Sequence, residues 1–223
     1  VALSPDNKTM YLANAGSNDL SIINLETNKG SAHIEVGANP RGIAITKNGA
    51  NVFVNNVLDG TLSVVDTSTL RVSSEVMLTN IPLNKNILNG KRIFNSSESP
   101  LLSTDNWISC STCHFDGMMD SRTWLGFADG PRNTPSLLGV KDTLPIHWSG
   151  DFDELHDVEI TIREVQLGNG LVTGEIHDSL GPSHAGLSAQ LDTLVLYMES
   201  IETRSSPYQS DTESISNGKS LFA

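Results

Sequence analysis

The chain has 223 residues, 38% of them hydrophobic and 5% aromatic, and a formal charge of −12 at pH 7. That length suits one large domain or two small ones, and the acidic balance, spread along the chain, excludes nucleic acid as a partner because it offers no basic face. No run approaches the 18 or so consecutive apolar residues of a membrane span, so no span is expected.

The first residues, Val1-Ala2-Leu3-Ser4-Pro5-Asp6, read as the middle of a repeat, and no signal peptide is visible. Both features suggest a chain that was processed or cut. Ser4–Leu12 aligns with Thr46–Val54, and carrying position 4 to 46 gives an offset of 42. The same offset carries Asp19–Asn24 onto Thr61–Asp66 and Val1–Leu3 onto Ile43–Ile45. Each unit holds short β-branched runs separated by Asn, Asp and Gly, which is the pattern of strands in a meander. A period of about 40–45 residues with four strands is that of a propeller blade. The units resemble YVTN-type propeller repeats of secreted bacterial proteins over residues 1–80. Closed propellers use about 4–8 blades, so two blades imply further blades before Val1, or another cover for the open edges.

Near residue 80 the pattern changes. Ile81-Pro82-Leu83-Asn84 reads as a linker, and Asn86–Phe94 as a short helix. From there to about residue 200 the sequence is loop-rich, with two helical stretches, Asp157–Gln166 and Ser188–Ile201. In the second, Leu191, Leu194, Val195 and Met198 recur at helical spacing. In the tail, Asn217–Phe222 repeats Asn89–Phe94, so residues 206–223 are expected to open a second copy of the preceding domain, cut short.

The only two cysteines stand in Cys110-Ser111-Thr112-Cys113-His114. C-x-x-C-H is the attachment pattern of c-type haem: the thiols bond to the porphyrin and the adjacent histidine ligates iron. A zinc site wants four ligands, and no second cysteine pair exists. A thioredoxin-like dithiol wants a βαβ context, which is absent, and a plain disulfide is the remaining alternative. The expected architecture is multidomain, with a partial β-propeller of about two blades followed by a mostly α, loop-rich c-type cytochrome domain over 86–205.

Ser109–Gly117, Gly130–Leu137, and Trp148-Ser149-Gly150-Asp151 with Leu155 together resemble the N-terminal haem domain of bacterial dihaem cytochrome c peroxidases and the related methylamine-utilisation enzymes. Ser149 and Asp151 depart from that family's W-D-G-R element. The resemblance implies a haem oxidoreductase that reduces peroxide or a related oxidant, with electrons from a second haem domain or a donor cytochrome. It implies one covalent haem c, with Cys110, Cys113 and His114 holding it and Arg132 anchoring a propionate. It also implies a calcium ion taking an oxygen from Asn133, and Trp148 relaying electrons between two haems. The family's usual distal histidine falls here at Leu125. The sixth iron ligand is therefore His147, Met118 or Met119, or the position is open. Glu164 and Gln166 fall where the family places a proton-transfer group. The remaining histidines, His33, His156, His177 and His184, read as surface residues. Covalent haem attachment outside the cytoplasmic membrane implies a periplasmic or cell-surface location. A non-catalytic electron carrier and a propeller-based binding module are the competing functions, since a propeller fold alone does not specify one.

Overall fold

In the computed structural model each 42-residue unit is a four-stranded antiparallel meander; the structure describes residues 1–127, 130–205, 207 and 211–222. The first meander is β1 (Ala2–Leu3), β2 (Thr9–Asn14), β3 (Asp19–Asn24) and β4 (Lys29–Glu35), hydrogen-bonded in that order. The second is β5 (Pro40–Ile45), β6 (Asn51–Asn56), β7 (Thr61–Asp66) and β8 (Arg71–Met77), again in order.

Register and side chains repeat together. Thr9 faces Asn24 as Asn51 faces Asp66, and the bulge between Ile22 and Ile23 recurs between Val64 and Val65. Asn14 Nδ2 donates to Asp19 and Ser21, as Asn56 Nδ2 donates to Thr61 and Ser63. At the β-turns, Asn24 Oδ1 accepts from the backbone of Glu26 and Thr27, and Asp66 Oδ1 from that of Ser68 and Thr69. These turn residues satisfy backbone donors that a tight reversal leaves without strand partners. Alternating inward residues of both sheets, among them Leu20, Ile22, Val52, Val54 and Val65, form one apolar cluster. Two consecutive meanders sharing a core have the arrangement of neighbouring propeller blades.

Residues 78–84 lead into the second half, whose helices are α1 (Lys85–Asn95), α2 (Cys110–Cys113), α3 (Val158–Glu164), α4 (Ala189–Glu199) and α5 (Thr212–Leu221). Asn84 caps α1 by accepting from Asn86 N, and Ser188 caps α4 by accepting from Leu191 N. α1 packs across α4. Gly90 sits against the Thr193 carbonyl, where a Cβ would overlap it. One turn on, Phe94 is 1% exposed and meets Tyr197 edge to face at 5.2 Å. Ile162, Leu191 and Leu194 complete the centre of this core. α3 buries Glu159, which accepts from Leu171 N and Val172 N and pairs with Arg163 at 2.8 Å. That pins residues 170–172 over the helix.

The expectation of a partial propeller followed by a mostly α domain is corrected. The described residues form three antiparallel sheets and five α-helices, so the molecule is mixed α and β. In the second half no helix exceeds 11 residues, and β9 (Thr123–Trp124) pairs with β10 (Arg132–Asn133) in a third, two-stranded sheet. Left-handed residues explain the short helices: Asp105, Asn106, Asp116, Ser121, His147 and Leu167 all have φ between 50° and 68°. Each interrupts a right-handed path. The expected 157–166 helix ends at Glu164 because Gln166 N and Gly168 N turn back to Thr161 O and Ile162 O.

The reading of four surface histidines holds for two and is corrected for His156 and His184. His33 and His177 are exposed, His156 is half-buried and pairs with Asp192 at 3.2 Å, and His184 is 0% exposed.

Polar links tie the meanders to the second half. Arg92 Nη2 reaches Asp59 Oδ1 at 2.8 Å, Arg41 Nη1 reaches Asp116 Oδ1 at 2.7 Å, and Ser97 N donates to Gly16 O. α5 buries none of its residues. No helix is long and apolar enough to cross a membrane among the described residues.

Candidate functional site

α2 is a single helical turn, so Cys110 and Cys113, three residues apart, project to one side of it. Thr112 Oγ1 accepts from Ser109 N, and His114 N donates to Cys110 O at 2.9 Å. The chain then reverses through left-handed Asp116 and Gly117. Gly117 O accepts from Leu137 N, which brings the 130–137 segment back over His114.

There His114 Nδ1 lies 3.0 Å from the Pro135 carbonyl. A carbonyl only accepts, so Nδ1 carries the proton and Nε2 presents its lone pair. Metal-bound histidines are commonly oriented by such a bond, which sets the tautomer and ring angle. Burial lowers the His114 pKa, against the Pro135 and Met118 backbones and Asp120, which raise it; His147 lowers it further. The imidazole is thereby held towards its neutral, ligating form.

Burial pushes both thiols up, Cys113 to about 11 with help from Asp120 and Cys110. Both cysteines are free. A dithiol made for redox exchange has a lowered pKa, and this pair has the reverse. A thioether carries no ionisable proton, so the same burial suits covalently attached haem. Gln166 is buried, its Nε2 lies 3.5 Å from Cys110 Sγ, and its Oε1 is buried with no hydrogen-bond partner. Among the described residues, the one group of His, Cys, Asp and Glu placed to hold a metal ion excludes both cysteines. The zinc half-site reading therefore gains no further ligands.

The other sequence candidates fall into two sets. Asn133 and Trp148 lie together: Trp148 Nε1 donates to Asn133 O at 2.7 Å, while the Trp148 side chain is 64% exposed. Asn133 Nδ2 donates to Arg122 O and Thr123 Oγ1. Asn133 is the one residue carried over for calcium, which takes 6–8 oxygens, so the other ligands of such an ion would come from the second haem domain that the resemblance implies. Arg132 is half-buried on β10, opposite Trp124.

His147 has a left-handed backbone, its ring centroid stands 3.7 Å from that of Phe152, and its Nδ1 is 3.2 Å from Asp151 Oδ1. Burial lowers its pKa, and Asp151 opposes this. Leu125 is 79% exposed, Met119 is exposed and Met118 half-buried. Glu164 is exposed at the end of α3, and its side chain makes no hydrogen bond or ion pair among the described residues. It is Gln166, two residues on, that reaches the cysteine segment.

Sequence reasoning missed Asp120 and Arg41. Burial works against the Asp120 carboxylate, yet hydrogen bonds from Arg122 N, Trp124 Nε1 and Thr134 together hold its pKa down. It thereby ties the loop before β9 to the segment that holds His114. Arg41, on the second meander, pairs with Asp116 and lies 5.1 Å over the Phe115 ring. Only the D-G turn after the C-x-x-C-H hinted at such an anchor. Phe115, Met119, Leu125, Phe127 and Trp148 expose large apolar side chains in the segments flanking α2, a composition suited to receiving an apolar ligand.

No known family matches the chain, and no curated protein matches it. Among solved structures, hydrazine synthase of Kuenenia stuttgartiensis is similar at 26% identity over 36% of this chain and 23% of that one, with TM-score 0.35. The dihydro-haem d1 dehydrogenase NirN is similar at 28% identity over 33% and 16%, TM-score 0.31. The β-propeller domain of Myceliophteria thermophila Cps50 (Swd1) is similar at 12% identity over 34% and 23%, TM-score 0.32. The chain spans less than a quarter of each of these proteins.

Proposed function

We propose that this chain is a c-type haem redox protein, with one haem attached through Cys110 and Cys113 and ligated by His114. The observation that carries this is the His114 Nδ1 bond to the Pro135 carbonyl, which leaves Nε2 as the free donor beside two uncharged thiols. When bound, the haem supplies a one-electron ferric/ferrous couple. The protein's part is placement. Pro135 fixes the imidazole, Gln166 offers an N–H to the Cys110 sulfur, Arg132 supplies a guanidinium for a propionate, and Trp148 forms an exposed aromatic edge on the same loop system. Electrons come from a second haem domain or a donor cytochrome, and the oxidant is peroxide or a related species, as the resemblance to dihaem peroxidases implies. The location is periplasmic or cell-surface.

A second reading, a non-catalytic electron carrier, is favoured by one observation. Asp151 Oδ1 stands 3.2 Å from His147 Nδ1 as an ion-pair contact, which leaves His147 Nε2 as the nitrogen for a metal, while Leu125 stands where a peroxidase keeps its distal histidine. Expression in a host that attaches haem covalently tests the proposal: the intact mass should rise by one haem that survives denaturation, and Cys110→Ala with Cys113→Ala should abolish it. A wild-type chain without covalent haem overturns it. Peroxide- or cyanide-induced change in the optical spectrum selects the enzyme, and a spectrum unmoved by either selects the carrier.

A further inference from the structure

Across the second half from α2, a different set of side chains converges. Asp157, just before α3, is 1% exposed, and its Oδ1 lies 2.9 Å from Nδ1 of His184, which is itself fully buried. Glu154 Oε1 lies 3.6 Å from the same nitrogen. One ligand atom from each of the three residues falls within 4.8 Å of the others. The other nitrogen of His184, Nε2, is 3.1 Å from the His177 carbonyl. Because that carbonyl only accepts, Nε2 carries the N–H. Nδ1 is then left facing Asp157 Oδ1, an arrangement of lone pairs that is repulsive without a cation between them, while Glu154 Oε1 accepts from the His184 backbone N–H.

The cation is a proton or a metal ion. A proton on Nδ1 serves Asp157 Oδ1, and Glu154 is met by the His184 backbone N–H, by Ser183 Oγ and, at 4.0 Å, by His156 Nδ1. The proton leaves Asp157 Oδ2, buried and without a hydrogen-bond partner, uncompensated. A divalent ion balances both carboxylates, and Oδ2 gains a role as an alternative ligand on the same carboxyl group. The separations of the two carboxylate oxygens from Nδ1, 2.9 and 3.6 Å, fit. Ligands at about 2.1 Å from a metal stand about 3.0 Å apart at an octahedral edge and about 3.4 Å at a tetrahedral one. The outward N–H···O=C bond of His184 is the usual support of a metal-bound histidine.

We propose that Glu154, Asp157 and His184 form a buried divalent-cation site of zinc class, distinct from the haem site. A mixed nitrogen and oxygen donor set favours zinc over calcium, which prefers oxygen alone. The ion staples the loop running to His184 onto the start of α3. That loop is anchored there already by Ser183 Oγ donating to Glu154 Oε2 at 2.6 Å, and its residues 173–175 and 180–183 are exposed.

The test is to dialyse the haem-loaded chain against a chelator, then titrate with Zn2+ alone, following binding by calorimetry and bound zinc by elemental mass spectrometry. One zinc per chain is expected. Glu154→Gln and Asp157→Asn should each weaken binding 100-fold or more, while Glu175→Gln, on the same loop but exposed, should leave it unchanged. Zinc should also slow proteolysis within 173–183. Circular dichroism confirms that each variant is folded, and Glu154→Gln, the less buried of the two, remains informative if Asp157→Asn is not. Absence of stoichiometric binding, binding that survives Glu154→Gln, or a ring-nitrogen NMR spectrum showing His184 doubly protonated in the presence of zinc would each overturn the proposal.

Discussion

Individual residues in this molecule act mostly through what they leave satisfied or unsatisfied. His114 matters because one ring nitrogen is engaged by Pro135, and Glu159 because it serves two buried backbone N–H groups and Arg163 at once. Truncating Glu159 leaves those donors and the Arg163 Nε without partners, although the guanidinium keeps its bonds to the Val172 and Gly174 carbonyls. Glu159→Ala should therefore cost about 3–5 kcal/mol, to be read from the shift in denaturant midpoint at unchanged slope. Asp66 shows the opposite, exposed case. Its pKa lies below the ordinary 3.8 because Ser68 Oγ, Thr69 N and Ser68 N donate to the carboxylate. A carboxyl whose folded pKa is lower than its unfolded one stabilises the fold above the unfolded value and loses this as pH falls through the folded value. Melting temperature should thus drop below pH 3.8, and Asp66→Asn should flatten that part of the profile. Of these residues the sequence shows the C-x-x-C-H outright, because its members are contiguous in the chain. Pro135 was legible only as part of a family-like run, and Asp120 and Arg41 not at all, because their partners come from other elements.

Among the elements, α1 and α4 set the frame on which the cysteine segment rests. Their crossing depends on Gly90, whose missing side chain lets α1 meet the Thr193 carbonyl. Alanine is the better helix former by about 1 kcal/mol, yet here its methyl must displace backbone. Gly90→Ala should destabilise by about 1–3 kcal/mol despite that propensity, and Phe94→Ala, which empties a fully buried aromatic site, by about 3–5 kcal/mol. Thermal unfolding of both variants checks the order. The helical stretches that became α1 and α4 were readable to within two residues at each end. α3 was readable as well but ends two residues early, its last turn cut off by bonds from Gln166 and Gly168 that no local pattern announces. The meanders were the most legible elements, because each strand, bulge and buried asparagine appears twice.

At the scale of the whole molecule, the seam between the meanders and the second half is made of spaced polar links, with Arg41–Asp116 nearest the cysteine segment. That pair is partly exposed, so screening limits its worth to about 1 kcal/mol or less. Arg41→Ala should barely change global stability but should raise amide hydrogen exchange at residues 115–118. A double-mutant cycle with Asp116→Ala measures the coupling.

What the sequence by itself determined is whatever is encoded by short spacing or by repetition: the C-x-x-C-H group, the 42-residue repeat and its strand register, and the amphipathic faces of α1 and α4. Tertiary structure alone decided that the second half is mixed rather than mostly α, that His184 is buried beside Asp157, and that Gln166 rather than Glu164 approaches Cys110. The physical reason is the same in each case. Left-handed turns and long-range closures place these groups, and their free energy depends on partners distant in the chain, which neither composition nor periodicity records.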